Sequence, residues 1–123
     1  MVPKVQDVFY QEAEGSVPVL DWLDTLQPKA QDKCLVKIER LQELGHELRR
    51  PEADLLRDGI YELRVGLEGI NYRILYFFHG KVAAVLAHGL VKERVVPSRD
   101  IDEAMKRKQR FERDPGTHTY QEE

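Results

Sequence analysis

The stretch GIYELRVGLEGINYRILYFFHG, residues 59–80, constrains the fold most. It reads as two strands joined by a short turn that contains glycine, and so short a connection makes the strands antiparallel neighbours. Each strand carries an arginine near its middle, Arg64 and Arg73. Burying an unpaired guanidinium costs several kcal/mol, so each arginine must reach solvent, pair with a carboxylate or bind an anion.

The alternation of side chains along a strand decides which faces the arginines occupy. Glu62 and Arg64 share the face opposite the apolar set of their strand, and a suitable turn register puts Arg73 on the same side. In one interpretation Glu62 pairs with one arginine as a surface ion pair worth under about 1 kcal/mol. In the other, the two guanidinium groups bind a phosphate, since one carboxylate cannot neutralise both.

The remaining segments predict one domain over residues 1–113. A strand at 4–11 precedes two amphipathic helices at 18–26 and 28–44. Residues 47–59 read as a connection in which Leu55 and Leu56 enter the core. Strands at 60–67, 70–78 and 82–88 follow, and then a helix that begins near Pro97. This order predicts an α+β fold with an antiparallel sheet, the N-terminal helix pair packed on one face, and a C-terminal helix. Residues 114–123 lack apolar periodicity and are predicted to form a disordered acidic tail.

Charge is distributed unevenly along the chain. The formal net charge of −3 argues against a general affinity for nucleic acid. Residues 57–113, however, carry 12 basic and 8 acidic side chains, while the segments on either side are acidic. An anion-binding site is therefore expected in this middle segment.

Several classes of site and location are not expected. Cys34 is alone and lies in a helical pattern, which predicts a buried apolar role. The four histidines, at 46, 79, 88 and 118, match no metal-binding spacing, so we expect neither a metal nor another cofactor. No apolar run approaches the roughly 20 residues that span a bilayer, and the first residues lack the apolar core of a signal peptide. These features predict a cytoplasmic protein without a membrane partner.

Four blocks of the sequence resemble one known superfamily. They are VLDWLDTLQPKAQDKCLVKIERL, GIYELRV, NYRILYFF and VLAHGLVKERVVPSRDIDEAMKRKQRF, and together they extend over roughly residues 5–111. The ordered set is similar to the RelE/HigB superfamily of toxins from type II toxin-antitoxin systems, and above all to its phage-derived, HigB-like branch. The resemblance implies a RelE-like fold.

The resemblance also implies an activity. Members of the superfamily are endoribonucleases that cut mRNA, often in the ribosomal A site, without a metal; the 2′-hydroxyl of the RNA attacks the adjacent phosphate. Arg64 and Arg73 match positions that hold the scissile phosphate, and Lys92 matches a basic position after the last strand. Further basic side chains could extend an RNA-binding surface: Arg94, Arg99, Lys106, Arg107 and Arg110. The last three belong to a helix face that is either simply solvated or contacts ribosomal RNA or an acidic antitoxin segment.

The sequence departs from some members of the superfamily in three places. Glu62 and Glu93 stand where these members carry basic residues, and Phe111 stands near the position of a C-terminal Tyr or His. Glu62 resembles the carboxylate that acts as base in some relatives, and His88 is the other candidate proton carrier, although it more simply closes the last strand.

Three functions follow as hypotheses. The first is a ribosome-assisted mRNA endoribonuclease that inhibits translation and is silenced by a cognate antitoxin, expected to carry a helix-turn-helix and to cover Arg64, Arg73 and the last helix. The second is a non-enzymatic inhibitor of DNA gyrase like the ParE branch. The third is a catalytically weak, protein-binding member. Under the first, we expect Arg73→Glu to abolish cleavage and leave the fold intact, since the site lies outside the core.

Overall fold

The computed structural model describes residues 3–122. Within them lie five strands, three α-helices and a short 3-10 helix. In chain order these are β1 (Gln6–Phe9), α1 (Pro18–Asp24), α2 (Pro28–Leu44), the 3-10 helix (Gly45–Glu47), β2 (Ala53–Arg57), β3 (Ile60–Leu67), β4 (Ile70–His79), β5 (Ala83–Lys92) and α3 (Ser98–Arg113). In the part of the chain described, no helix is both long and apolar enough to cross a bilayer.

The five strands form one sheet in the order β1-β5-β4-β3-β2. All neighbours are antiparallel except β1, which runs parallel to β5. The predicted α+β architecture is confirmed, and it is consistent with a RelE-like fold. The sheet is mostly antiparallel, and β1 is the exception. Three successive hairpins join β2, β3, β4 and β5, so that β5 runs opposite to β2 and in the same direction as β1.

The segment predicted as a connection contains the edge strand β2. Leu56 packs against the core, as expected. The prediction for Leu55 is wrong, because its side chain is 52% exposed. The physical reason is position: β2 pairs only with β3, so its outer side has no neighbouring strand.

The helix pair covers one face of the sheet with a continuous apolar core. Helix α2 starts at Pro28, which suits a first turn, and ends at Gly45, whose φ of 54° favours glycine. Its apolar side chains recur every three or four residues and are buried against β3, β4 and β5. They are Ala30, Cys34, Ile38 and Leu41. The predicted burial of Cys34 is confirmed, and burial raises the pKa of its thiol to about 11.

Helix α3 covers only part of the opposite face. Ile101, Ala104 and Phe111 of α3 pack with a second set of buried side chains from the strands, including Ile60, Leu75, Phe77, Val85 and Ala87. All five residues from Ala83 to Ala87 are buried, so this part of β5 is covered on both faces. Further along β3 and β4, toward their turn, the same face carries charged side chains.

Residues 114–122 differ from the disordered tail that we expected. Thr119 forms an antiparallel bridge with Tyr10, and the Tyr120 N–H donates to the Phe9 carbonyl. His118 is 8% exposed and stacks on Tyr10 with ring centroids 5.2 Å apart. This segment is ordered by backbone hydrogen bonds to the edge of β1. Such bonds require no apolar side chains, so the sequence carries no pattern that would predict them.

Candidate functional site

The turn between β3 and β4 brings the two arginines together. Leu67 and Ile70 are paired, so the loop has two residues, Glu68 and Gly69. Both have positive φ, 52° and 80°, the signature of the tight turn that matches the twist of a hairpin. This turn fixes the register, and in that register Arg64 lies directly opposite Arg73. The two guanidinium groups therefore share one face of the sheet, and Glu62, two residues before Arg64, shares it with them.

Strand β5 adds a third cation to this face. Asn71 of β4 pairs with Lys92, and Leu75 pairs with His88. The alternation that puts Arg73 on the α3 side of the sheet thus puts Lys92 there too. We call Arg64, Arg73 and Lys92 the basic cluster.

Glu62 lies at the centre of the basic cluster. Its Oε1 accepts a hydrogen bond from Arg73 Nε at 2.9 Å, and its Oε2 accepts one from Arg64 NH2 at 3.3 Å. Lys92 Nζ is 3.8 Å from Oε1. Glu62 is 4% exposed and Arg73 is 7% exposed, so the central pair is buried. One carboxylate therefore faces three cations at short range.

A second carboxylate reaches the cluster from β2. Asp54 Oδ2 is 3.4 Å from Arg64 NH2 and 3.0 Å from Arg50 Nε. Glu62 and Asp54 together pair with four cations, since Arg50 joins the three of the basic cluster. Two positive charges are left without a carboxylate within this network. The ion pairs thus organise the cluster without neutralising it.

Each of the two arginines has N–H donors without an acceptor among the described residues. Arg73 donates a hydrogen bond from Nε to Glu62 and another from NH1 to the Tyr72 carbonyl, 2.8 Å away. Within residues 3–122, the buried Nε of Arg64 has no hydrogen-bond partner. Burial lowers the pKa of Arg73, the ion pair with Glu62 opposes this shift, and the neighbouring Arg64 charge lowers the pKa further. An incoming anion would relieve this uncompensated positive charge.

The burial of Arg73 corrects the expected effect of reversing its charge. Arg73→Glu would place a second carboxylate against Glu62 in a nearly closed environment, where like charges are strongly unfavourable. We therefore expect Arg73→Glu to lower stability as well as cleavage, and a neutral substitution at the more exposed Arg64 is the better probe.

His88 is engaged at both ring nitrogens. Nε2 lies 2.7 Å from Asp100 Oδ1, and Nδ1 lies 2.9 Å from Arg107 NH1. Asp100 and Arg107 both belong to α3. The imidazole therefore links β5 to α3, which fits the simpler interpretation of this residue, and the contacts occupy the nitrogens that a proton carrier would use.

The predicted RNA-binding residues fall into two groups. Arg94, Arg99 and Lys106 are exposed, and the Arg99 side chain is 87% exposed. Arg107 is only 13% exposed; it donates to the Ala87 carbonyl and lies 3.6 Å from both Glu12 and Glu103. Arg110 also pairs with Glu12, at 3.3 Å. The first group is available to a polyanion, whereas the second ties α3 to the rest of the domain.

Sequence reasoning missed Asp54 and Arg50. Both precede β3 in a segment that reads as a loop, and a loop gives no alternation from which to assign a face. Their spacing of four residues, together with recognition of β2 as a strand, would have placed Asp54 beside Glu62, its partner in the register.

The fold and the site define a small α+β domain with a cluster of cations on one face of its sheet. Residues 21–109 match the family described as phage derived protein Gp49-like (DUF891), and the chain belongs to this family. It is a family of RelE/HigB-type toxins. The matched segment includes the whole basic cluster, Glu62 and Asp54. No curated protein matches the chain.

Proposed function

We propose that this protein is the toxin of a type II toxin-antitoxin system, from the HigB-like branch, and that it cuts ribosome-bound mRNA without a metal. The observation that carries the proposal is the basic cluster, in which cations from three adjacent strands converge on one buried carboxylate and exceed the acids around them. A cluster of this charge suits a phosphodiester and the extra negative charge that develops in its transition state.

The proposed reaction uses the 2′-hydroxyl of the substrate as the nucleophile. Its oxygen forms a bond to the adjacent phosphorus, the bond from phosphorus to the 5′-oxygen breaks, and the products are a 2′,3′-cyclic phosphate and a 5′-hydroxyl. The 2′-proton goes to a base, and the leaving oxygen takes up a proton. Arg64, Arg73 and Lys92 would stabilise the pentacoordinate phosphorane, which carries more charge than the starting diester.

Glu62 is better supported than His88 as the base. Its carboxylate lies among the three cations that would hold the phosphate, whereas the ring nitrogens of His88 contact Asp100 and Arg107 of α3. The burial of Glu62 also supports a second role, that of a counter-ion which keeps three cations together before the substrate arrives. Glu62→Gln separates the roles: loss of a base abolishes cleavage at unchanged RNA affinity, while loss of a counter-ion alone tightens RNA binding.

The exposed cations Arg94, Arg99 and Lys106 are the proposed contacts to flanking RNA or to the ribosome. Arg107 and Arg110 have a smaller proposed share, because Glu12 already pairs with both. The proposed antitoxin is a protein, expected to carry a helix-turn-helix, that covers the basic cluster and α3. It would silence the toxin by placing acidic or hydrogen-bonding groups where the phosphate binds.

Mapping of RNA 5′ ends in cells tests the proposal. The protein is expressed under tight control, and 5′-hydroxyl ends are sequenced before and after induction. We expect new 5′-hydroxyl ends within translated frames and arrested growth. Loss of DNA supercoiling with intact messages would instead indicate a gyrase inhibitor. Normal growth in the presence of soluble, folded protein would indicate a catalytically weak, protein-binding member.

A further inference from the structure

Asp54 makes three contacts. One is with the backbone of the edge strand β2, and two are with arginines, of which Arg64 belongs to the basic cluster. Its Oδ1 accepts the backbone N–H of Leu55 at 3.0 Å. Its Oδ2 lies 3.0 Å from Arg50 Nε and accepts a hydrogen bond from Arg64 NH2 at 3.4 Å. Arg50 lowers the pKa of Asp54 most, burial opposes this shift, and the Leu55 N–H and the Arg64 charge add smaller contributions that also lower the pKa. The side chain is thus held as an anion between the edge strand and the basic cluster.

The contact with Leu55 protects the free edge of the sheet. The Arg64 N–H donates to the Glu52 carbonyl, so in the antiparallel register the Leu55 and Tyr61 pair is not hydrogen-bonded across the strands. The Leu55 N–H therefore points away from β3, and Asp54 Oδ1 satisfies it. The other outward N–H on this side, that of Ala53, donates to the Arg49 carbonyl. Asp54 helps to close an edge that could otherwise pair with another chain.

The contact with Arg64 holds the more exposed arginine of the site. The Arg64 side chain is 29% exposed, whereas that of Arg73 is 9% exposed and fixed by hydrogen bonds from two of its nitrogens. Only NH2 of Arg64 is held, and it is held by two carboxylates, Glu62 and Asp54. Two acceptors on one nitrogen stop the guanidinium from rotating, and NH1 has no protein acceptor within residues 3–122.

We propose that Asp54 is a positioning residue for this site: from the edge strand it fixes the Arg64 guanidinium through NH2, so that NH1 is directed to the phosphate. The inference rests on the proposed ribonuclease function and assigns a role to a residue outside the basic cluster. A misplaced cation weakens the stabilisation of the transition state more than the binding of the substrate, because the additional negative charge develops on the phosphate only as the reaction proceeds. Asp54 should therefore affect turnover and not substrate affinity.

Asp54→Asn is the informative variant. The amide keeps an oxygen that can accept the Leu55 N–H, so the edge strand stays capped, but it removes the negative charge that holds Arg64. Asp58→Asn is the matched control: Asp58 also pairs with an arginine, Arg57 at 3.2 Å, in the turn that follows β2. Asn is at ease at the positive φ of 52° found there. Each variant loses one acid. Asp54→Asn loses the ion pairs with Arg50 and Arg64, whereas Asp58→Asn loses the one with Arg57 and leaves Arg64 untouched.

Steady-state cleavage of ribosome-bound message supplies the first readout. For Asp54→Asn we expect kcat to fall roughly 10-fold or more, with KM unchanged or lower, since one repulsive charge near the RNA is gone. Asp58→Asn should match the wild type in both constants. An unchanged kcat for Asp54→Asn, or a higher KM with constant kcat, would overturn the inference.

Hydrogen exchange at the Arg64 Nε–H, measured by NMR, supplies a readout that does not depend on activity. We expect faster exchange in Asp54→Asn than in the wild type or in Asp58→Asn, with equal melting temperatures. Equal exchange in all three would overturn the inference. If the wild type cuts no RNA at all, the proposed function is wrong, and the exchange rates still decide whether Asp54 positions Arg64.

Discussion

The two faces of the sheet are formed by the same strands but differ in chemistry: one is apolar, and the other is partly charged. On the face of the helix pair, apolar side chains continue without a break under α1 and α2. On the face of α3, the apolar residues of β4 end at Leu75, and charged residues of β3 and β4 replace them toward the β3-β4 turn. Ile74 and Arg73 are neighbours in sequence and both are buried, yet one belongs to the core and the other to the basic cluster. The apolar face stabilises the fold, whereas the burial of charge on the α3 face costs part of that stability.

Truncation of Ile74 should have the largest effect on stability. Ile74 is fully buried in the core beneath the helix pair. Ile74→Ala removes three heavy atoms and leaves a cavity, which should lower the free energy of unfolding by about 3 kcal/mol. Urea denaturation followed by circular dichroism measures this change. A loss below about 1 kcal/mol would show that the core collapses into the cavity at position 74, and it would contradict the view that this face supplies most of the stability.

A smaller loss is expected where α1 meets β5. A Cβ at Gly89 would lie 2.3 Å from Trp22 Cδ2, so the indole has to move if the residue is larger than glycine. Gly89→Ala should cost about 2 kcal/mol of folding stability by overpacking. Gly66→Ala is the control, because a Cβ there meets nothing within 4 Å. Equal stability of the two variants in the same denaturation experiment would refute the tight fit of Trp22.

The smallest of the three stability effects should depend on pH. Burial raises the pKa of Asp7 on β1 to about 7, and neither carboxylate oxygen has a hydrogen-bond partner among the described residues. The folded state therefore favours the protonated acid. This contribution is complete below the ordinary pKa near 4, and it declines as pH rises through about 7.

Asp7→Asn isolates that contribution. The variant keeps the shape of the side chain and cannot ionise, so the gap in stability between it and the wild type should widen by about 1 to 2 kcal/mol from pH 4 to pH 8. Thermal melts across this range, with the difference taken at each pH, cancel the titration of all other groups. A constant difference would mean that Asp7 ionises in the folded protein as it does in water.

The sequence predicts the core better than it predicts the charged site, for physical reasons. The spacing of Ala30, Cys34, Ile38 and Leu41 identifies α2, and the alternation in β3 and β4 puts Arg64 and Arg73 on one face. These patterns are local. The β2 edge strand, the tail on β1 and the attachment of His88 to α3 depend on partners far along the chain, and a polar residue carries no periodic signal that names its partner.

The site also shows what charge patterns alone leave open. From the sequence, Glu62 could be a surface partner of one arginine or part of a phosphate site. The structure buries it among three cations, and only the contacts with Asp54 and Arg50 allow the excess of positive charge to be counted. The register of the two-residue turn buries Glu62, which rules out the surface ion pair.

Single-turnover cleavage of ribosome-bound mRNA in the presence of EDTA tests the central claim most directly. The wild type is compared with Arg64→Gln, in the basic cluster, and with Lys81→Gln, an exposed cation in the turn between β4 and β5. We predict 2′,3′-cyclic phosphate products from the wild type, a rate lower by about 100-fold or more for Arg64→Gln, and a rate close to wild type for Lys81→Gln. Equal rates for Arg64→Gln and the wild type, with both proteins folded, would contradict the account.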